Sequence, residues 1–206
     1  IGVCQLPRTW WKAVTRAVDL LDPDYPDNSG GLDTSCLQAM SLSVEETYDY
    51  LRNELPDYVS FERWILNRKN GGVPVAQVER YNEVVRYRRH IRPHKITETY
   101  EDIGFDPEVD TYTSALLLNS LQDWHLFHAK DLVADQLSPG VIPLVSSIDV
   151  GPLDVMQLAR TWYKILLDSK GLLNGDYPAC GKGLDQRVLD VLGLDRDATI
   201  SFVANE

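Results

Sequence analysis

The sequence contains little cysteine and no long apolar run. Its three cysteines, Cys4, Cys36 and Cys180, cannot all pair and show no C-x-x-C spacing, which is typical of a protein from a reducing compartment without a disulfide framework. No window approaches about 18 consecutive apolar residues, and no basic segment leads into an apolar run at the start, so we expect neither a membrane span nor a secretory signal. These absences predict a soluble, cytoplasmic protein.

Common catalytic and cofactor motifs are also absent. There is no GxGxxG, no GxxxxGK[ST], no GxSxG, no EF-hand loop and no zinc-finger spacing. The sequence therefore lacks the usual signatures of dinucleotide-binding proteins, nucleoside triphosphatases and serine hydrolases. Positive charge is scarce, because 20 Lys and Arg stand against 31 Asp and Glu and give a formal net charge of −11. Such a surface repels phosphate backbones and anionic lipids, so we expect no nucleic-acid or membrane partner.

An internal repeat is the clearest feature of the 206 residues. At an offset of 152 residues, 1–54 align with 153–206 without a gap and share 20 identical residues in 54 positions, which predicts a duplicated N-terminal head. We therefore divide the chain into a first complete repeat unit (1–135), an extended connector (136–152) and the head of a second, truncated unit (153–206). Three explanations remain for a second head that lacks the residues following the first. The second unit is truncated, or the second head packs on the middle segment of a pseudo-symmetric monomer, or the chains of a homodimer exchange their heads.

The hydrophobic spacing predicts an all-α fold with long loops. Apolar residues recur near every 3.6 positions in several segments, Ser43-x-x-Glu46 forms a capping box, and Asp33 and Asp185 are candidate N-caps. Val141 to Val145 are the one candidate short strand. The predicted helices are 6–22 with its copy from 158, 44–54, 57–69, 75–92 ending at Pro93, and one that opens at Asn119 and runs through Leu132.

Both copies keep several polar residues that are able to carry chemistry. Arg8 and Arg160, Tyr25 and Tyr177, and Asp33 and Asp185 occupy matching positions, as do Lys12 and Lys164. One interpretation is structural: the helix-borne Arg pairs with the loop-borne Asp and fastens the loop, with Tyr as a lid. The other is catalytic: Arg clamps an anion, Tyr donates a proton and Asp acts as a base or as a metal ligand. The residues alone leave both interpretations open.

A histidine pair suggests a metal site. His125 and His128 are three residues apart, which places both imidazoles on one face of a helix, and Asp123 is close enough in sequence to serve as a further ligand. These three residues are the candidate ligands of a divalent metal ion. The alternative is that the histidines are ordinary hydrogen-bonded residues at the boundary of a helix, since no E-x-x-H pattern accompanies them.

Several blocks of the sequence resemble a known bacterial family. They are LPRTWWK followed by LLDPDYPDNSGGLD, LPDYVSFERWI with NRKNGG, the RYNEVVRYRRH run, and LNSLQDWHLFH. In these blocks the chain is similar to the family named only as domain of unknown function 5069, over about residues 1 to 130 and again from about 144. The resemblance implies no established reaction. It directs attention to the family-like positions Arg8, Asp33, Trp64, Asn82, Trp124 and His128.

Two functions are consistent with these features. The first is a small-molecule enzyme of the lyase, isomerase or hydrolase type that uses acid-base or metal-assisted chemistry in an aromatic pocket. Its candidate catalytic residues are His128 or Tyr25 as proton carrier, Arg8 as anion clamp and Asp33 as orienting base. Its candidate substrate-binding residues are Trp64, Asn82, Trp124, Arg160, Tyr177 and Asp185. The second is a non-catalytic helical module that presents its duplicated heads to a protein partner.

Overall fold

The computed structural model describes residues 1–133 and 137–205, and over these residues the chain is mostly helical. This confirms the predicted all-α class. The described part holds ten α-helices and one π-helical segment, Phe127–Leu132, that continues directly from the seventh helix. The α-helices are α1 (Leu6–Ala17), α2 (Gly31–Ala39), α3 (Val44–Glu54), α4 (Tyr58–Arg68), α5 (Val75–Arg86), α6 (Pro93–Ile103), α7 (Ala115–Leu126), α8 (Leu158–Ser169), α9 (Leu184–Leu192) and α10 (Arg196–Ala204).

The chain forms two compact units, Ile1–Arg88 (unit 1) and Arg89–Glu206 (unit 2). The boundary that the sequence suggested at 135/136 lies outside the described residues, and the connector 136–152 and the segment from 153 belong to unit 2. We call residues 1–54, which contain α1 to α3, the first head, and residues 153–205, which contain α8 to α10, the second head. Each unit therefore contains one head and a different set of additional helices.

In unit 1, α4 and α5 cover the first head. Phe61 and Ile65 of α4 and Val78 of α5 belong to the same buried cluster as Leu6 of α1 and Leu37 of α2. Aromatic contacts extend this cover, because Tyr50 of α3 stacks on a tryptophan of α4 with 4.4 Å between ring centroids. The core of unit 1 is thus shared between the head and the two helices that follow it.

Asn82 of α5 fixes the N-terminal segment to unit 1. Its Oδ1 atom accepts a hydrogen bond from the Cys4 N–H at 2.8 Å, and its Nδ2 atom donates to the Gly2 carbonyl at 2.7 Å. Asn82 is buried, so both backbone groups are satisfied by one side chain where water has little access. This is a structural role, and it differs from the substrate-binding role expected from the sequence.

In unit 2, the second head packs against the π-helical segment and the connector. Leu132 and Val145 are buried with Tyr163, Leu166 and other residues of α8. The Phe127 ring lies 5.0 Å from the Tyr163 ring. The predicted strand at 141–145 is reduced to one isolated bridge between Val141 and Leu173, because only Val141 and its neighbours exchange backbone hydrogen bonds with the loop after α8.

Helix ends follow local capping chemistry more closely than hydrophobic spacing. Ser43 caps α3 through the Glu46 N–H, as the capping box predicts. The helix predicted to open at Asn119 begins instead at Ala115, because the Ser114 side chain caps it. The helix predicted over 75–92 ends at Arg86, and Pro93 starts α6 in its first turn, where its missing N–H costs nothing. Among the described residues, no helix is long and apolar enough to cross a membrane.

We expect Asn82→Ala to destabilise unit 1 by about 1 to 3 kcal/mol, because it leaves the Cys4 N–H and the Gly2 carbonyl without their partner. Gln77→Ala, at an exposed position of the same helix, is the matched control and leaves stability nearly unchanged. Urea unfolding followed by circular dichroism measures both changes. Equal unfolding midpoints for the two variants would contradict the structural role of Asn82.

Candidate functional site

A buried carboxylate organises the first head. Asp33, in the first turn of α2, is fully buried and pairs with the ammonium group of Lys12 on α1. Its Oδ1 atom accepts from the Gln5 amide at 2.9 Å and from the Thr9 hydroxyl at 3.0 Å. Its Oδ2 atom accepts from the backbone N–H of Ser29 at 3.1 Å and from the Ser29 hydroxyl. One side chain thereby joins α1, the loop and α2.

The second head repeats this network at an offset of 152 residues. Asp185 of α9 is buried and pairs with Lys164 of α8. It accepts from the Gln157 amide and from the Thr161 hydroxyl, both at 2.7 Å, and from the Gly181 N–H at 2.6 Å. The backbone repeats as well, since Gln5 and Gln157 precede their helices at φ 71° and 70°, a left-handed conformation that is uncommon outside glycine.

These networks correct two expectations from the sequence. The ion-pair partner of the aspartate found in both heads is the lysine, Lys12 or Lys164. Neither aspartate is an N-cap, because the caps are Gly30 and Gly183. Burial alone would raise the pKa of Asp33, but hydrogen bonds from Lys12 and Gln5 and the charge of Lys12 lower it from 3.8 to about 2. A fully bonded carboxylate of this kind is a structural anchor and a weak base.

The matched arginines serve different loops in the two heads. Arg8 donates to the hydroxyl of Tyr25, and its guanidinium lies 5.6 Å from the centre of the Tyr25 ring. Arg160 instead donates to the carbonyls of Pro143 and Val145 at 2.8 and 2.6 Å. Tyr177 is partly exposed on the loop before α9. The structure therefore brings Arg8 and Tyr25 together, while Arg160 holds the connector.

Unit 2 contains a largely apolar pocket of about 580 Å³ between α7 and the second head. Two residues expected at a site, Trp124 and His128, line it together with His125. Trp64, the other expected pocket wall, belongs to unit 1 and packs on Tyr50 there. The remaining lining comes from the connector and the second head and includes Leu153, Val155, Leu158, Trp162, Ile165, Leu189, Thr199 and Val203.

The candidate metal ligands do not form a three-residue site. Over residues 1–133 and 137–205, no three His, Cys, Asp or Glu side chains are grouped as metal ligands. Asp123 and His125 are two residues apart on α7, which points them to different faces of the helix. His125 and His128 both reach the pocket, where they are the ionisable groups in a lining that is otherwise apolar except for Thr161 and Thr199.

The two buried cysteines are not suited to act as catalytic nucleophiles. Burial raises the pKa of the Cys36 thiol to about 12, and burial also raises the pKa of Cys180. A thiol with a raised pKa carries little thiolate at neutral pH and is a poor nucleophile. Both residues lie in the hydrophobic clusters of their heads, where they act as small apolar side chains.

Several positions of the second head are less buried than their counterparts in the first head. Leu6 is fully buried, whereas its counterpart Leu158 is only half-buried and lines the pocket. Leu42 is 9% exposed and its counterpart Leu194 is 44% exposed. Leu153, the counterpart of Ile1, is 69% exposed. The pocket therefore occupies the face of the second head that, in the first head, is packed against α4 and α5.

Comparison with known proteins identifies no relative, because no family model, no curated protein and no solved structure matches the chain. The resemblance to the bacterial family stays a prediction. Any function has to be argued from the pocket and from the two heads themselves.

We expect Asp33→Asn to lower the free energy of unfolding at pH 7 by about 3 kcal/mol, since it leaves the Lys12 ammonium buried without its counter-charge. The pKa of Asp33 is lower in the folded protein than in the unfolded chain. Its stabilisation is therefore present above pH 3.8 and is lost as the pH falls through about 2. The wild type should lose about 2 kcal/mol more than the variant over this range.

Urea unfolding of both proteins at pH 7, 5 and 2 measures this difference. Asp49→Asn, an exposed carboxylate on α3, is the control and is expected to follow the wild type. Parallel pH profiles for the wild type and Asp33→Asn would show that the buried carboxylate does not contribute as described.

Proposed function

We propose that unit 2 is a helix-binding module, in which the second head receives an amphipathic helix in its apolar pocket. The observation that carries this proposal is the difference in burial between the two heads. The face that α4 packs on in unit 1 is, in unit 2, one side of a pocket to whose lining α7 also contributes. Amphipathic helices bind apolar grooves by inserting side chains at i, i+3, i+4 and i+7, and an open apolar face on a folded head is suited to that mode.

Comparing the burial of the two heads position by position requires a second proposal, which is that both heads descend from one duplicated segment. The shared sequence supports this, and so do matching hydrogen bonds at an offset of 152 residues. For example, Leu20 N–H bonds the Thr15 carbonyl and Leu172 N–H bonds the Leu167 carbonyl. Likewise Ser43 caps α3, and Asp195 caps α10 at the equivalent position. Matching positions of the two heads are thus expected to have matching partners.

The contacts of α4 on the first head define how a helix covers this face. The Trp10 indole N–H donates to the Pro56 carbonyl at 2.8 Å, just before α4 begins. Tyr58 packs edge-on against Trp10 with 5.6 Å between ring centroids. Phe61 and Ile65, three and seven residues further along α4, are fully buried against the head. These residues form the apolar stripe of an amphipathic helix.

The second head presents counterparts of the residues that α4 contacts. Trp162 stands in the place of Trp10 and lines the pocket, as do Leu158 and Ile165 of the same helix. Val203 takes the place of Leu51 on the opposite wall. The pocket therefore offers an indole donor and an apolar floor, which are the two features that α4 uses on the first head.

A second candidate function is supported by the two imidazoles in the pocket. His125 and His128 lie with Trp124 and Trp162 around an apolar space of a size that holds small molecules. An acid-base enzyme acting on an apolar substrate would use one imidazole as the proton carrier. Asp33, Arg8 and Tyr25 belong to unit 1, so this candidate rests on the histidines alone.

Binding of a peptide with the sequence of residues 55–70 tests the helix-binding proposal. The peptide is stapled between positions 59 and 63, which are exposed on α4, and its affinity for the full chain is measured by fluorescence anisotropy. We expect Leu153→Glu to weaken binding at least tenfold, because it adds a charge at the wall of the pocket. Ile148→Glu, an exposed position outside the pocket lining, is expected to bind as the wild type does.

Two results would contradict the proposal. One is the absence of peptide binding by the wild type, and the other is equal weakening by Leu153→Glu and Ile148→Glu. Native mass spectrometry of the purified chain addresses the second candidate. A small organic molecule that is retained by the wild type and lost in Leu153→Glu would favour the enzyme over the helix-binding module.

A further inference from the structure

We propose that the partner of the second head is a helical hairpin with the chemistry of α4 and α5, whose first helix carries a tryptophan and ends in basic residues and whose second helix carries an asparagine. This inference rests on the helix-binding function proposed above and specifies its partner. Three features of the second head carry it: an exposed aromatic ring on α10, exposed carboxylates at the start of α10, and two backbone groups before α8.

The exposed ring is Phe202 of α10. Its counterpart in the first head is Tyr50, which stacks on Trp64 of α4 with 4.4 Å between ring centroids and an interplanar angle of 10°. Phe202 is 65% exposed, although an aromatic side chain of this size is normally packed against other apolar groups. A tryptophan on the partner helix, at the position that Trp64 holds in α4, would stack on it in the same way.

The acidic corner lies at the start of α10. In unit 1, the end of α4 is basic: Arg68 covers the Trp64 ring at 4.1 Å and pairs with Glu46 on α3. Lys69 donates to the Ser41 carbonyl at 2.6 Å. The counterpart of Glu46 in the second head is Ala198, but exposed Asp197 stands at the position of Glu45, and exposed Asp195 caps α10 beside it. Its charge is complementary to a helix that ends in Arg and Lys.

The backbone groups belong to the segment before α8. In unit 1, Asn82 of α5 bonds the Cys4 N–H and the Gly2 carbonyl. The counterparts of these groups are the Met156 N–H and the Asp154 carbonyl, which belong to exposed residues and bond no other backbone group within residues 1–133 and 137–205. An asparagine on a second partner helix would satisfy both groups at once. A single helix in the place of α4 has no equivalent contact, which favours a hairpin.

A synthetic peptide of residues 55–88 is the probe for this inference, added to the full chain. We expect it to bind about tenfold more tightly than the stapled peptide of residues 55–70, because it adds the contacts of the second helix. In the peptide, Asn82→Ala is expected to remove most of that gain. In the protein, Phe202→Ala is expected to weaken binding at least fivefold, whereas Val191→Ala, at another exposed apolar position, is expected to have no effect.

A charge exchange tests the acidic corner. The double substitution Arg68→Glu and Lys69→Glu in the 55–88 peptide is expected to weaken binding to the wild-type chain and to be partly rescued by Asp197→Lys in the protein. Equal affinities of all 55–88 peptides, with the stapled 55–70 peptide still bound at the pocket, would overturn the hairpin and leave the helix-binding function standing. Failure of both peptides to bind would overturn both proposals.

Discussion

The structure depends on a lysine–aspartate ion pair buried in each head. Asp33 with Lys12, and Asp185 with Lys164, join the first helix of a head to its second helix and hold the loop between them. A buried ion pair is favourable only when its remaining hydrogen-bonding capacity is satisfied. In both heads a glutamine amide, a threonine hydroxyl and a backbone N–H complete the set. The pair therefore specifies one arrangement of two helices and a loop.

Because each head is held together from within, its outer faces are free to be covered in different ways. In unit 1, α4 and α5 pack on one face and bury Leu6 and Leu51 completely. In unit 2, the π-helical segment and the connector pack on another face, where α8 carries Leu166 and Leu167. The positions that α1 uses there are Val14 and Thr15. The sequence of α8 is thus more apolar than that of α1 on the side that packs against the π-helical segment and the connector.

The helices were predictable because their signals are local. The Ser43 capping box and the hydrophobic spacing of 44–54 predict α3 as it is observed. The internal repeat predicts that α1 and α8 are matching helices. The site was harder to predict, since its signals are not local. Asp33 was interpreted as a base, yet only the packing of α1 on α2 shows that Lys12 and Gln5 surround it. Identity between the copies at Gln5, Thr9 and Lys12 was the available signal.

The pocket was beyond prediction for a related reason. Trp124 and His128 were expected at a site and do line it, but Trp64 was assigned to the same site and packs in unit 1. The pocket is the space left between one face of the second head, α7 and the connector. No pattern within residues 153–206 distinguishes a covered face from an open one, because both have the apolar residues of a core.

The central claim is that the second head accepts a helix on the face that α4 covers in the first head. Methyl-detected NMR of the full chain, recorded with and without the stapled 55–70 peptide, tests it most directly. The account predicts shifts for the methyl groups of Val155, Leu158, Ile165 and Val203, with none for their counterparts Val3, Leu6, Ala13 and Leu51. Shifts confined to the first head, or no shifts at a saturating peptide concentration, would contradict it.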